Sequence, residues 1–181
     1  DGLGFAWGAV FEDVNLDGQL DVLAAQNYVR WPVHRWFKFP GKVLLGGGPW
    51  RAFTPAAVAA NPSFANAPLL ADLDGDARLD LFWLNTDGPS RAFLNRSTGD
   101  AIVLELPDSP RALGARARLE GATTRYTREL VAGAGLGTDS APLLVFGLGA
   151  ERAARRVVVQ WADGSATTID DPPVNRRIRV E

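Results

Sequence analysis

Hydrophobic and polar positions follow one another in short segments along this chain, which predicts β-strands rather than helices. In the first half, an apolar run, an acidic stretch and a second apolar run occur twice: residues 11–23 align with residues 70–82, an offset of 59 positions. A further apolar run follows each copy, at residues 43–45 and 92–94. A repeat of this length built from short strands is typical of one blade of a β-propeller.

Beyond residue 98 the pattern changes to alternating segments separated by Gly, Pro or Asp. Alternation places one face of a strand inward and the other outward, and Asp163-Gly164 supplies the turn of a hairpin. We predict strands in residues 102–106, 115–119, 124–130, 143–146, 157–161 and 166–169. The predicted fold class is all-β, with β-propeller-type blades over residues 1–98 and a small β-sandwich over residues 99–181.

Helix signals are few. The best of them is Thr54-Pro55 followed by residues 56–60, which are alanine and valine. Threonine is a good N-cap and proline suits the first helical position, so this segment predicts one short helix.

The two acidic stretches place side-chain oxygen at positions 1, 3, 5 and 9 of a nine-residue loop, and position 7 adds a main-chain carbonyl. Calcium takes six to eight oxygen ligands at about 2.3–2.6 Å, which suits this spacing. Carboxylates packed this closely repel one another unless a cation lies among them. We therefore predict two Ca²⁺ sites. Their ligands are Asp13, Asn15, Asp17, Gln19 and Asp21 in the first loop, and Asp72, Asp74, Asp76, Arg78 and Asp80 in the second.

Two alternatives compete with this interpretation. An EF-hand requires a bidentate Glu at position 12, where this chain has Ala24 and Trp83, so the EF-hand is excluded. Acidic turns that hold no metal stay open as an alternative. They are more plausible for the second loop, because position 6 calls for positive φ, which Gly18 adopts freely and Ala77 only with strain.

Composition and charge narrow the function classes. The formal net charge is −2, without the basic face that nucleic-acid binding needs. Cysteine is absent, which excludes disulfides and thiolate metal sites, and no apolar run reaches the roughly 18 residues of a membrane span. The chain begins without Met and without a signal-like apolar stretch, so we expect a processed or excised piece of a longer protein.

Catalysis is not expected. His34 is the only histidine, and no cysteine or recognisable serine could serve as its nucleophile. Carboxylates at alternate positions of one loop are arranged as ligands rather than as an acid–base pair across a cleft. Among the six tryptophans, three are expected in the core (Trp7, Trp83 and Trp161) and three could line a sugar-binding surface (Trp31, Trp36 and Trp50).

With these residues in place, the two loops resemble FG-GAP/VCBS repeats, the calcium-binding propeller blades also found in integrin α-chains. The second half is similar to the ASPIC/UnbV domain, on a set of motifs that occur in order. These are Leu113-Gly114-Ala115-Arg116-Ala117, Arg128-Glu129-Leu130, Gly133, Gly135, Ser140, Phe146-Gly147-Leu148-Gly149 and Val159-Gln160-Trp161-Ala162-Asp163-Gly164. Ala162 stands where that domain usually has proline. The combination resembles the C-terminal part of bacterial relatives of cartilage acidic protein.

The resemblance implies an exported, extracellular or periplasmic protein that binds calcium at the residues already named, and it supplies no catalytic activity. We expect a calcium-binding, non-catalytic interaction or adhesion module with an unidentified protein or glycan partner. The alternative is a carbohydrate-binding or accessory domain of a secreted or biosynthetic protein, because relatives also occur in enediyne gene clusters. Two blades cannot close a propeller, so further blades are expected in the parent protein.

Overall fold

The computed structural model describes residues 5–27, 40–47, 52–56, 61–133 and 139–181. Regular structure in these residues is entirely β-strand, which confirms the all-β class. The strands are β1 (Phe5–Glu12), β2 (Asp21–Asn27), β3 (Lys42–Leu45), β4 (Thr54–Pro55), β5 (Ala65–Ala71), β6 (Asp80–Asn85), β7 (Arg91–Phe93), β8 (Ala101–Glu105), β9 (Arg116–Glu120), β10 (Arg125–Glu129), β11 (Leu143–Gly147), β12 (Arg156–Gln160), β13 (Ala166–Asp170) and β14 (Arg177–Arg179).

Four residues for which predictions were made lie outside the described ranges: Trp31, His34, Trp36 and Trp50. In the part of the chain that is described, no helix has the length and apolar character that crossing a membrane requires.

The sequence repeat is also a structural repeat. β1 to β4 form one antiparallel sheet in chain order, and β5 to β7 form a second in the same way. The registers match at the offset of 59, since Glu12 pairs with Asp21 and Ala71 pairs with Asp80. Each first strand also carries a β-bulge at its equivalent position, Trp7 in β1 and Asn66 in β5. The two acidic loops therefore start and end on equivalent strand positions.

The other strands form two further sheets, which face each other across a shared core. One sheet has the order β10-β9-β12-β13 and the other has the order β11-β8-β14. All six segments predicted beyond residue 98 are strands, with ends shifted by no more than two residues. β14 was not predicted; it pairs in parallel with β8, as in Ile178 with Leu104.

β8 and β11 are buried on both faces of their sheet, which joins the two halves of the chain. Alternate residues of β8 and β11 point to opposite sides. Ala101, Val103, Leu143 and Val145 pack with the repeat strands in one core, whereas Ile102, Leu104, Leu144 and Phe146 pack with the β10-β9-β12-β13 sheet in the other. Strands buried on both faces are continuously apolar, which explains the uninterrupted hydrophobic segment of β11.

The predicted short helix is wrong at its start. Thr54 and Pro55 form β4, paired with Leu45 and Leu44, and the Ala56 N–H donates to the Val43 carbonyl at 2.8 Å. Tertiary pairing overrides the local helix signal here, and proline is tolerated because β4 is an edge strand. Residues 57–60 of the predicted helix lie outside the described ranges.

Two of the three tryptophans expected in the core are there. Trp83 is 0% exposed and Trp161 is 2% exposed. Trp7 is 37% exposed, so that prediction is wrong. Its position at the β-bulge is the reason, because the bulge interrupts the alternation that a regular strand would have given it.

The turn between β9 and β10 is organised around one carboxylate. Glu151 accepts the N–H groups of Ala122, Thr123 and Thr124 at 2.9, 2.9 and 3.0 Å, together with both threonine hydroxyls. These hydrogen bonds, led by those of Thr123, lower the pKa of Glu151 to about 2. The ionised carboxylate therefore stabilises the folded chain.

This contribution predicts a specific pH dependence for Glu151→Gln. A depressed pKa gives stability that is fully present above the ordinary pKa of 4.5 and is lost as the pH falls through about 2. The melting temperature of the wild type should therefore exceed that of Glu151→Gln above pH 4.5, with the margin closing towards pH 2. Thermal melts across this range measure it, and a margin that does not change with pH would contradict the prediction.

Candidate metal centre

The first acidic loop connects β1 to β2 and winds around the carboxylate at its position 1. Asp13 is fully buried. Its Oδ2 accepts the Gly18 N–H at 2.8 Å and its Oδ1 accepts the Asp17 N–H at 3.1 Å. Asn15 and Asp17 lie at the exposed side, where the Asn15 amide donates to Asp17 Oδ2 at 3.0 Å. The Gln19 N–H donates to Asp17 Oδ1 at 2.8 Å.

The second loop connects β5 to β6 and repeats this hydrogen-bond pattern. Asp72 Oδ2 accepts the Ala77 N–H at 3.1 Å, which is the equivalent of Asp13 and Gly18, and its Oδ1 accepts the Gly75 N–H at 2.8 Å. The Arg78 N–H donates to Asp76 Oδ1 at 3.0 Å, the equivalent of Gln19 and Asp17. Both loops are thus shaped by the acids at positions 1 and 5.

The acid at position 9 ties each loop to two strands. Asp21 begins β2, and its carboxylate accepts the Val14 N–H at 2.9 Å and the Gly46 N–H, just after β3, at 2.8 Å. Asp80 begins β6 and accepts the Leu73 N–H and the Asn95 N–H, just after β7, both at 2.7 Å. Both aspartates are buried. Their conformation therefore fixes the loop relative to the next strand of the same sheet.

Backbone conformation is shared as well. Positive φ occurs at positions 4 and 6 of each loop: 63° at Leu16 and 88° at Gly18, then 80° at Gly75 and 65° at Ala77. The prediction of positive φ at position 6 is confirmed in both loops. The second loop has its glycine at position 4 instead, so Ala77 adopts the left-handed conformation, which costs an alanine about 1–2 kcal/mol.

Burial sets the electrostatics around the first loop. It raises the pKa of Asp13 to about 6, against the lowering effect of the Gly18 hydrogen bond. Burial also raises the pKa of Asp21, and it raises that of Glu12, at the end of β1, to about 7. Arg128 opposes the shift of Glu12, with its Nε 3.7 Å from Glu12 Oε1. A cation in this loop would relieve the cost of ionising these carboxyl groups.

Three carboxylates of the second loop already converge. Asp72, Asp74 and Asp80 each offer an oxygen within 4.8 Å of the other two. Two ligands on opposite sides of a calcium ion, each at about 2.3–2.6 Å, are about 5 Å apart, so this set fits one coordination sphere. Among the described residues the first loop has no equivalent acidic trio. Its position 3 is the neutral Asn15, whose oxygen accepts the Asp17 N–H at 3.2 Å.

Two arginines outside the loops contact the second loop, and sequence analysis did not identify them. Arg177 Nη2 lies 2.5 Å from Asp72 Oδ2. Arg96 Nη1 lies 2.8 Å from Asp74 Oδ2 and 3.1 Å from Asp76 Oδ2. Arg96 and Asp74 are 22 residues apart and Arg177 and Asp72 are 105 residues apart. No local pattern links residues at such separations.

Two glycines of the Phe146-Gly147-Leu148-Gly149 motif lie against the first loop. A Cβ on Gly147 would meet the Asp13 carboxylate and the main chain of Leu16, and the Gly149 N–H donates to the Leu16 carbonyl at 3.2 Å. A Cβ on Gly149 would come within 2.6 Å of the Asp17 carbonyl. The motif therefore forms the surface on which the first loop rests.

Strands, loops and their contacts define this chain as an all-β protein in which two equivalent acidic loops connect paired strands. Residues 107–181 match the model of the family described as ASPIC and UnbV, which supports the C-terminal part of the resemblance. No curated protein matches this chain. The family match does not reach the two loops, so their assignment as FG-GAP/VCBS repeats stays a prediction.

Proposed function

We propose that this chain is a calcium-binding, non-catalytic interaction module of an exported protein. Its two repeat sheets would be β-propeller-type blades with one Ca²⁺ in each acidic loop. The observation that carries the proposal is the repetition of loop geometry, because two loops with different residues at positions 2, 3, 4, 6 and 7 share their φ signs and hydrogen bonds. Plain acidic turns have no need to preserve four acceptor positions in this way.

The chain's own residues divide two tasks. Buried acids at positions 1 and 9 spend part of their oxygen capacity on backbone N–H groups, which holds the loop in shape. A carboxylate has about four lone-pair sites, so capacity remains for a metal. The acids and amide at positions 3 and 5 are nearer to solvent and would close the coordination sphere. Bound calcium would supply positive charge that offsets the repulsion among these carboxylates.

The partner-facing role follows from what the loops connect. Asp21 and Asp80 link each loop to residues just beyond the next strand. Ordering a loop therefore orders one end of a whole sheet. We propose that this rigidity presents a surface to an extracellular protein or glycan partner, and that the C-terminal ASPIC/UnbV unit supports the first loop through Gly147 and Gly149.

A calcium titration by calorimetry, with thermal melts in calcium and in chelator, tests the proposal. Wild type should show two binding events, and Asp17→Ala and Asp74→Ala should each lose one. Calcium at about 100 times its Kd stabilises by about 2.7 kcal/mol. In a chain of this size that is a rise of about 5–10 °C in melting temperature.

Asp170→Asn is the matched control, because Asp170 is an exposed acid outside both loops that pairs with Arg156 across β12 and β13. It should keep both events. A parallel magnesium titration should give little heat, since magnesium prefers few protein ligands and retained water. If the wild type gives neither heat nor a shift in calcium, the metal proposal is wrong and the loops are structural turns.

A further inference from the structure

The second loop differs from the first in the arginines that contact its carboxylates from elsewhere in the chain. Arg177, on β14, contacts Asp72, whose side chain is only 1% exposed. Asp72 is the position-1 acid and one of the three converging carboxylates. This ion pair places a positive charge directly against a carboxylate that water hardly reaches. One predicted calcium ligand, Asp72, is thus already paired with a guanidinium.

Arg96 pairs with two further acids of the same loop. Its Nη1 lies between Asp74 and Asp76, at 2.8 and 3.1 Å. The Arg96 side chain is 64% exposed, so it can leave these carboxylates without disturbing the core. Arg78 adds a weaker contact, 3.4 Å from Asp76 Oδ2, while its Nε donates to the Ser97 carbonyl at 2.7 Å.

The described part of the chain shows no such arrangement at the first loop. Within the described ranges, no lysine or arginine forms an ion pair with Asp13, Asp17 or Asp21. Arg128 pairs with Glu12, the residue before Asp13, rather than with an acid of the loop. Two loops with similar backbone conformation therefore differ in the ion pairs that they form with the described cations of the chain.

We propose that Arg96 and Arg177 compete with calcium for the second loop. This inference rests on the proposed calcium-binding function and concerns the regulation of one of its two sites. A guanidinium and a calcium ion cannot share the same carboxylate oxygens at full strength, so calcium must displace Arg96 and weaken the Arg177–Asp72 contact. The apparent affinity is then reduced by the fraction of time the arginines occupy the carboxylates. The second loop becomes the weaker site although its acids are better gathered.

The competition also couples calcium binding in the second loop to the C-terminal part of the chain. Arg177 belongs to the strand that pairs with β8, within the residues that match the ASPIC/UnbV family. Calcium in the second loop would release a side chain of the C-terminal unit from the repeat. By reciprocity, anything that draws Arg177 away would tighten calcium binding.

The test isolates the second loop in an Asp17→Ala background, which silences the first, and uses calcium as the probe. Calorimetry and calcium-dependent melting are compared for that background and for versions that add Arg96→Gln, Arg177→Gln or both. Each single replacement should lower the calcium Kd about fivefold or more, within the range typical of coupled sites, and the double replacement should lower it further. Arg96→Gln keeps the test decisive even if Arg177→Gln destabilises the chain.

Arg179→Gln is the matched control, because it removes an equal charge from the same strand but contacts Glu105 rather than the loop. It should change the Kd less than twofold. If Arg96→Gln and Arg177→Gln change the Kd no more than this control does, or weaken binding, the competition is wrong while calcium binding stands. If no variant binds calcium, the proposed function and this inference are both wrong.

Discussion

Replacing Trp161 with alanine should lower the free energy of unfolding by about 3–5 kcal/mol, the usual range for deleting a buried tryptophan. Trp161 is 2% exposed and packs in the core between the β10-β9-β12-β13 and β11-β8-β14 sheets. Its Nε1–H donates to Thr167 Oγ1 at 2.9 Å, and the Arg111 guanidinium lies 4.2 Å from the ring centroid. The replacement removes the packing, the hydrogen bond and the cation–π contact together.

The effect should spread beyond the ring. The Trp161 N–H and carbonyl close the hairpin between β12 and β13 with Ser165 and Gly164. Arg111 also pairs with Asp163 in the same hairpin, at 3.0 Å. Loss of the ring therefore loosens the anchor of Arg111 on this hairpin, and we expect Arg111→Ala to cost much less in a Trp161→Ala background than in the wild type.

Urea unfolding of Trp161→Ala measures the loss, and Trp7→Ala is the matched control. Trp7 is 37% exposed at the β1 bulge, so the same chemical change should cost far less there. Equal losses at the two positions would show that burial does not set the cost of these replacements, and would contradict the prediction for Trp161.

Most strands could be predicted because their signal is local. The segment predicted at residues 124–130 is the strand Arg125–Glu129, and its exposed and half-buried residues alternate as expected. Alternation is visible in one sequence because it needs only neighbouring residues. The parallel strand Arg177–Arg179 carries three residues of such a signal and depends on pairing with β8, 74 residues away. Its position is decided by tertiary contacts that a short pattern does not encode.

The candidate site divides in the same way. The oxygen-bearing side chains at positions 1, 3, 5 and 9 could be named from spacing alone, because a nine-residue loop brings its own side chains together. Nothing in that spacing indicates that Arg177 contacts Asp72 or that Gly147 packs on Asp13. Gly147 lies in a motif that pointed to a family, and one sequence does not show that the motif faces an acidic loop.

The second loop shows how one residue can mislead. Ala77 made this loop the weaker candidate, because alanine at positive φ is strained, and the strain is present at 65°. The chain nevertheless closes the loop there, since Ala77 is buried in the core of the repeat strands and its N–H donates to Asp72. Packing and one hydrogen bond offset an unfavourable backbone conformation. Among the described residues, the acidic trio is found in this loop and not in the first loop, which has glycine at position 6.

Replacing Gly147 with alanine should destabilise the chain by about 3 kcal/mol, the upper end of the usual cost of overpacking a core. A Cβ at this position would meet the Asp13 carboxylate and would lie 2.6 Å from two main-chain carbons of Leu16. The loop backbone cannot yield easily, because Asp13 is fully buried and holds the N–H groups of Asp17 and Gly18. Backbone conformation is not the cause, since Gly147 has no positive φ.

The same replacement separates stability from metal binding. It displaces the position-1 acid of the first loop and touches no residue of the second, so calcium affinity should fall about tenfold or more at the first site alone. Gly88→Ala is the matched control: its nearest atom is the Ser63 hydroxyl at 3.2 Å, on an exposed segment. Urea unfolding without calcium and calorimetry with it provide the two readouts. If Gly147→Ala unfolds at the same urea concentration as Gly88→Ala, the first loop does not rest on the C-terminal motif as described. If stability falls but both calcium sites keep their affinity, Asp13 is a structural acid and calcium does not bind through it.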